Sequence, residues 1–283
     1  MPDDEPYGCL DHYPVDPDSN MADTLKLYPA RPEKVYFYGT CLVDLFYPDA
    51  GMAGIQLLER EGIEVIFPDD QTCCGQPAWT SGFHDDARAV ARRQLDLFPE
   101  DWPIVVPSGS CGGMMRKHYP QLFRDTPDQE RAIEIAGRVW ELTDFLLNVC
   151  QVCLSDRGEP VTVAMHTSCS ARRELGLGGT GPELLSQLDR VTVVEQARAE
   201  ECCGFGGTFA VRHPEISAAM VTEKVDTLTA TGARQFVTTD CGCLMNIAGF
   251  AEKQGHLLHG QHILSFLWER TRDEAGEEGA TSS

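Results

Sequence analysis

Apolar positions along this chain follow two periods that take turns. VYFYG (35–39) is an apolar run of strand length that ends at Thr40 and Cys41. Residues 49–61 carry Ile55, Leu57 and Leu58 on one side and predict a helix. EVIFP (64–68) predicts the next strand, running into a loop at Cys73-Cys74-Gly75. HDDARAVARRQLDLF (84–98) repeats Ala87, Val90, Ala91, Leu95 and Phe98 at helical spacing, with acids near its start and arginines later, as the helix dipole favours. PIVVPSGSC (103–111) predicts a third strand, and 128–149 a longer helix that closes this half. The order then recurs. VTVAMHTSC (161–169), RVTVVE (190–195) and RQFVTTDCGC (234–243) predict strands. Residues 214–230 predict a helix with Pro214 in its first turn, and 256–270 a final helix.

Strands that alternate with helices predict mostly parallel sheets. The expected fold class is α/β, as two pseudosymmetric Rossmann-like halves with cysteines just beyond the carboxyl ends of the strands. That edge is where open α/β sheets place ligands. The expected organisation is an acidic, proline-rich arm over 1–33, a first cysteine-rich domain over 34–153, a linker near LSDRGEP (154–160), a second cysteine-rich domain over 160–270 and a disordered tail over 271–283.

The cysteines repeat with the same order. Cys41 precedes the pair Cys73-Cys74 and then Cys111; Cys169 precedes the pair Cys202-Cys203 and then Cys241 and Cys243. The copies are offset by 128 residues at the first cysteine and 129 at the pair. Three strand-end loops that supply one, two and one thiols can converge on a shared inorganic centre, and adjacent cysteines reach different metal atoms. Gly75 and Gly204, directly after the pairs, permit left-handed backbone. Four thiolates also suit tetrahedral zinc, although structural zinc usually draws on local CxxC pairs and the first set has none. Buried cysteine can also be mere packing, which two matching sets at strand ends argue against.

Bulk composition narrows the function classes. With 283 residues, 42% hydrophobic, and no run of 18 apolar residues, the chain reads as globular without a membrane span. The N-terminus has neither a basic start nor an apolar segment and does not read as a secretory signal, so a cytoplasmic location is expected. Twelve cysteines in a reducing compartment then favour metal over disulfides. A net charge of −21 disfavours a nucleic-acid partner. Only five of the 23 basic residues are lysine, a balance that a salt-rich cytoplasm or a GC-rich genome would each produce.

The pattern Cys…Cys-Cys-Gly…Cys, present twice over about residues 34–268, resembles the cysteine-rich CCG domain of iron–sulfur oxidoreductases. That family includes the cysteine-rich subunit of heterodisulfide reductase, the iron–sulfur subunit of glycolate oxidase and lactate-utilisation protein A. GTCLVDLFYPDAGMA, PDDQTCCGQPAWTSG, PSGSCGGMMRKHYP, HTSCSARRELG and ECCGFGGTFA resemble segments of the lactate-utilisation members. The resemblance implies an iron–sulfur electron-transfer subunit of a cytosolic system that oxidises a 2-hydroxy acid, L-lactate to pyruvate. It implies iron–sulfur clusters, two [4Fe-4S] centres or one of them non-cubane, held by Cys41, Cys73, Cys74, Cys111, Cys169, Cys202, Cys203, Cys241 and Cys243. It also implies two partners: a ferredoxin-type iron–sulfur subunit and a third subunit.

Departures from the family pattern matter. The ferredoxin run C-x2-C-x2-C-x3-C-P of glycolate-oxidase relatives is absent. The first motif ends in Cys111-Gly-Gly-Met114 and lacks a second thiol, and the second ends in Cys241-Gly-Cys243, so the five-thiolate cluster type is in question for the first half. Spacing leaves open whether Cys241 or Cys243 is the fourth ligand of the second set. An intact five-thiolate second site would favour a heterodisulfide- or thiol-reducing subunit instead, and a zinc scaffold is the non-enzymatic alternative.

Other residues invite roles. His166 could donate to cluster sulfur or transfer protons, or be a satisfied core histidine. Cys150 and Cys153 form a CxxC at the end of a predicted helix, the wrong end for an acidified redox thiol. His256, His259 and His262 on the last predicted helix read as surface or core, Arg172 and Arg173 as an exposed helix start, and Cys9 has no sequence partner. GFGGTF follows a cysteine pair rather than opening a dinucleotide-type turn.

Overall fold

A computed structural model describes residues 28–273, so Cys9 and most of the N-terminal arm and C-terminal tail lie outside the described residues. Among these residues, eight strands form two four-stranded sheets in which every pairing is parallel. The first sheet holds β1 (Lys34–Phe37), β2 (Glu64–Ile66), β3 (Ile104–Val106) and β4 (Val139–Glu141) in the order β2-β1-β3-β4. The second holds β5 (Val161–His166), β6 (Val191–Val194), β7 (Gln235–Thr238) and β8 (His259–His262) in the order β6-β5-β7-β8. The halves are topological copies, and strand register makes residues equivalent. Phe37 pairs with Val105 as Met165 pairs with Val237. Tyr38 therefore matches His166, Cys41 matches Cys169, and Cys111 matches Cys243.

The α/β class with parallel sheets stands, but each half gains a strand. The single helices expected over 128–149 and 256–270 are both interrupted. Helix Gln129–Arg138 ends where β4 begins, and the chain resumes helically at Leu142–Asp144 and Phe145–Cys150. Residues 256–258 are not helical; β8 follows, then helix Ile263–Thr271. These edge strands are three and four residues long, too short for a two-residue period to register. HGQH carries no apolar residue, and its place is set by its neighbours instead. A Cβ on Gly260 would lie 2.5 Å from both Leu244 Cδ1 and Phe236 Cζ. His259 and His262 are thus strand residues, not members of a helix.

The strands also stop short of the cysteines. β7 ends at Thr238, and Cys241 opens a helix, Cys241–Lys253, that the apolar pattern does not announce. Cys41 and Cys169 likewise open helices Cys41–Phe46 and Cys169–Arg173, and Cys111 lies in helix Gly109–Gly113.

The two sheets share one core. Phe37, Leu57 and Val105 of the first half pack in a single cluster with Val163, Val237, Leu264 and Leu267 of the second. Gly54 is where helix Pro48–Arg60 passes helix Ile263–Thr271: a Cβ there would meet Leu142 Cδ2 at 2.8 Å and Leu264 Cδ1 at 3.1 Å. Arg60 adds a 2.8 Å hydrogen bond to Thr271 Oγ1. The connecting segment near 154–160 is pinned rather than loose, because Asp156 accepts from Arg270 at 2.7 Å and from the Arg190 N–H at 2.9 Å.

Because the core is common, Leu264→Ala is expected to cost about 2–5 kcal/mol and to lower the unfolding midpoint of the whole chain. Urea unfolding followed by fluorescence and far-UV circular dichroism should show one coincident transition. Two separated transitions would mean that the halves unfold independently.

Candidate metal centre

Each Cys-Cys-Gly loop is forced against a helix behind it. Gly75 has φ +87° and Gly204 φ +85°, and a Cβ at either would stand 2.9 Å from a backbone oxygen, Ala87 O in one half and Ser217 O in the other. Only glycine combines that backbone with that clearance. The matching contacts also equate Ala87 with Ser217, and hence Gln94 with Lys224. The carbonyl after each pair's second sulfur is anchored: Tyr119 Oη donates to Cys74 O at 3.1 Å, and Asn246 Nδ2 donates to Cys203 O at 2.8 Å. Thr40, directly before Cys41, takes φ +60°, an uncommon conformation for a β-branched residue.

The sulfurs of each set converge. Cys74 Sγ lies 3.5 Å from Cys111 Sγ, and Cys203 Sγ 3.2 Å from Cys243 Sγ. Cys73 is linked to Cys41 and Cys74, and Cys202 to Cys169 and Cys203, by thiol hydrogen bonds. The Gly75 N–H points at Cys73 Sγ (3.5 Å) and the Gly204 N–H at Cys202 Sγ (3.4 Å). These donors hold Cys73 and Cys202 well below the usual thiol range, Cys41 and Cys74 acting first on Cys73, Cys169 and Cys203 first on Cys202. Cys41 and Cys169, the hydrogen-bond partners that keep their protons, are pushed up. Within each set one thiol is acidified while its neighbours keep their protons, because neighbouring anions repel.

Both sets face the same space. One cavity of about 430 Å³ is lined by all nine cysteines predicted from the repeats. All nine are free thiols. Cys243 stands in the place of Cys111 and touches Cys203. Cys241 stands in the place of Gly109 and points toward the first half, where its charge would be felt by Cys111 and Tyr47. Burial pushes the Cys241 thiol up.

Several groups around the cavity have no signal in the sequence pattern. Asp240 is buried and its carboxylate crosses between the halves, accepting from Ser110 N at 2.7 Å, Ser110 Oγ at 3.1 Å and Ser108 Oγ at 3.4 Å. Burial raises its pKa against those hydrogen bonds. Glu174 also lines the cavity, and its Oε2 lies 3.5 Å from His118 Nε2. Nothing in the periodicity marks either acid. Lys224 is buried and donates to Gln196 Oε1 at 3.2 Å and to Arg198 O at 3.0 Å.

Other candidates separate. His166 has no exposed surface and lies behind the cavity wall, with a ring nitrogen and the sulfurs of Cys203 and Cys243 all within 4.8 Å of one another. Arg172 and Arg173 do not line the cavity. Cys150 is a buried free thiol while Cys153 is disulfide-bonded, so the two do not form a redox pair with each other. Among the described residues no helix is long and apolar enough to cross a membrane.

Comparison with known proteins agrees with this geometry. The model of the cysteine-rich domain CCG matches residues 35–116 and again 163–248. Lactate utilization protein A of Halalkalibacterium halodurans is 43% identical over 244 residues, covering 85% of this chain and 100% of that protein. The protein of the same name from Bacillus subtilis is 42% identical over 240 residues, covering 84% and 100%. A solved structure of a hypothetical protein from Helicobacter pylori superposes with a TM-score of 0.60 at 8% identity, covering 86% of this chain and 50% of that one, which speaks to the fold alone.

Removing the bridging carboxylate should loosen this junction. Asp240→Ala removes the acceptor of the part-buried Ser110 N–H and of two serine hydroxyls that keep each other as partners at 3.0 Å, an expected loss of about 2 kcal/mol in urea unfolding. The raised pKa means that the folded state holds a proton longer than the unfolded one, so Asp240 subtracts stability as pH rises from about 4 toward its folded value. Asp240→Asn should make the stability-against-pH curve flatter over that window, and an unchanged slope would mean that Asp240 is not the group titrating.

Proposed function

This chain belongs to the cysteine-rich CCG domain family, and from that premise we propose that it is an iron–sulfur electron-transfer subunit of a lactate-utilisation system. The observation that carries the reading is the convergence of two equivalent thiol sets on one cavity. The first site is Cys41, Cys73, Cys74 and Cys111. The second is Cys169, Cys202, Cys203 and Cys243. The donor chemistry fits iron–sulfur clusters: free sulfurs, no local CxxC knot in the first set, and a thiol in each set already acidified by its neighbours. Clusters bound there would supply one-electron carriers whose potentials respond to hydrogen bonds and burial.

Oxidation of L-lactate to pyruvate releases two electrons and two protons, and two one-electron sites on one cavity can receive that pair in turn. The cavity has carboxylates at Asp240 and Glu174, and among its lining residues there is no arginine or lysine. A 2-hydroxy carboxylate is therefore not held there by an ion pair, and the chemistry on the substrate belongs to the assembled system rather than to this chain alone. The partners in this reading are a ferredoxin-type iron–sulfur subunit and a third subunit, all cytoplasmic.

A second reading rests on Cys241, a fifth thiol on the same wall. A five-thiolate, non-cubane second site would suit reduction of a disulfide. Its position, equivalent to Gly109 and turned toward the first half, favours a neighbour over a ligand, and Cys241→Ala should leave the iron content unchanged in the leading reading.

The deciding measurement is iron, zinc and acid-labile sulfide on protein purified without oxygen. The expected result is about eight iron atoms per chain, halved by Cys74→Ser and likewise by Cys203→Ser with the fold intact. Zinc without sulfide would leave a metal scaffold. Loss of all iron from one substitution would contradict two separate sites.

A further inference from the structure

Beneath the second thiol set lies a buried polar side chain without a partner. His166 ends β5, three residues before Cys169, and is fully buried. Neither Nδ1 nor Nε2 has a hydrogen-bond partner. A buried imidazole with both nitrogens unpaired is costly unless something else satisfies it. The equivalent position in the first half is occupied by Tyr38, whose hydroxyl is satisfied by donating to Thr72 O at 2.5 Å. The same place in the fold thus holds a satisfied residue in one half and an orphaned one in the other.

What His166 faces is sulfur. One of its nitrogens and the Sγ atoms of Cys203 and Cys243 fall within 4.8 Å of one another, yet no hydrogen bond joins the ring to either thiol. Two sulfurs and a nitrogen grouped so closely, with the nitrogen unused, are a donor set for a metal ion. We propose that His166 is a metal ligand of the second site through a ring nitrogen, so that the first site is held by thiolates alone and the second by thiolates and an imidazole. Full burial with no hydrogen-bond partner at either nitrogen leaves the ring a lone pair to offer a metal.

An imidazole that takes the place of one of the four thiolates would remove one negative charge from the centre and make it easier to reduce. Lys224 acts in the same direction, since the first half has uncharged Gln94 in its place. The two sites would then differ in potential, the second being the easier to reduce. This inference rests on the iron–sulfur reading above and extends it by a ligand that the cysteine motif does not contain.

The test uses the full chain, loaded with iron and sulfide without oxygen, with natural-abundance and 15N-labelled histidine. Pulsed EPR of the reduced protein should show a strongly coupled imidazole nitrogen that changes on labelling. His166→Tyr installs the residue that the first half already tolerates. It should abolish the coupling, keep the first-site signal and lower the reduction potential of the second. His166→Gln serves as a second variant if the tyrosine does not fold. A cluster signal without nitrogen coupling, or a coupling that survives both substitutions, overturns the ligand assignment and leaves the iron–sulfur reading standing. Failure of wild-type protein to retain iron and sulfide overturns both.

Discussion

The contact on which this architecture depends is the one where a helix start from each half meets without an intervening side chain. Gly109 sits against helix Cys169–Arg173, and a Cβ on it would be 2.6 Å from Ala171 Cβ and 2.8 Å from Ser168 Oγ. That approach brings the carboxyl edge of one parallel sheet up to the carboxyl edge of the other. Ligand positions that would otherwise open to solvent on two separate edges become the walls of one cavity. Asp240 reinforces the junction by accepting hydrogen bonds from Ser108 and Ser110 across it. The shared core beneath, from Phe37 to Leu267, keeps the two sheets from moving apart.

Within this frame the halves have kept their scaffold and changed their chemistry. The glycines after the cysteine pairs, the helices that crowd them and the strand order are all repeated. The glutamine that ties the loop to the first strand is repeated too: Gln71 donates to Phe37 O at 2.9 Å and Gln196 to the equivalent Met165 O at 2.8 Å. The differences cluster around the sulfurs. Tyr38 gives way to His166, Gln94 to Lys224, Ser108 to Asp240 and Gly109 to Cys241. Each change adds a charged, titratable or ligating group to the second half, and each is buried. Buried groups act on one another through a low dielectric, so their influence on a metal centre is larger than surface charges of the same number would exert. Exposed charges among the described residues, by contrast, are screened within about 8–10 Å at ordinary salt.

Much of the plan is visible before any coordinates. Apolar runs such as VYFYG and the last four residues of VTVAMH are buried on both faces of a parallel sheet, so their composition alone marks them as strands. Edge strands are the opposite case. VWE extends the apolar pattern of the helix before it, and HGQH has no pattern at all. Their pairing partners, Ile104–Val106 and Gln235–Thr238, lie more than twenty residues away and decide the matter. Helix Cys241–Lys253 escaped for a related reason: CGCLMNIAGF is apolar nearly throughout, and a segment packed on most sides loses the periodicity that would reveal it.

For the centre itself, the primary structure determined the thiols. One register of one, two and one cysteines and another of one, two and two can be counted, because residue identity and order along the chain are covalent facts. What only the tertiary structure decided is which of those thiols meet and what stands behind them. Strand register, not spacing, makes Cys243 the counterpart of Cys111 and places Cys241 beside the first half. Burial from every direction, not any local motif, leaves His166 without a partner and makes Asp240 a bridge. Those properties belong to groups far apart in the chain brought within a few ångströms, and no one-dimensional pattern encodes a distance.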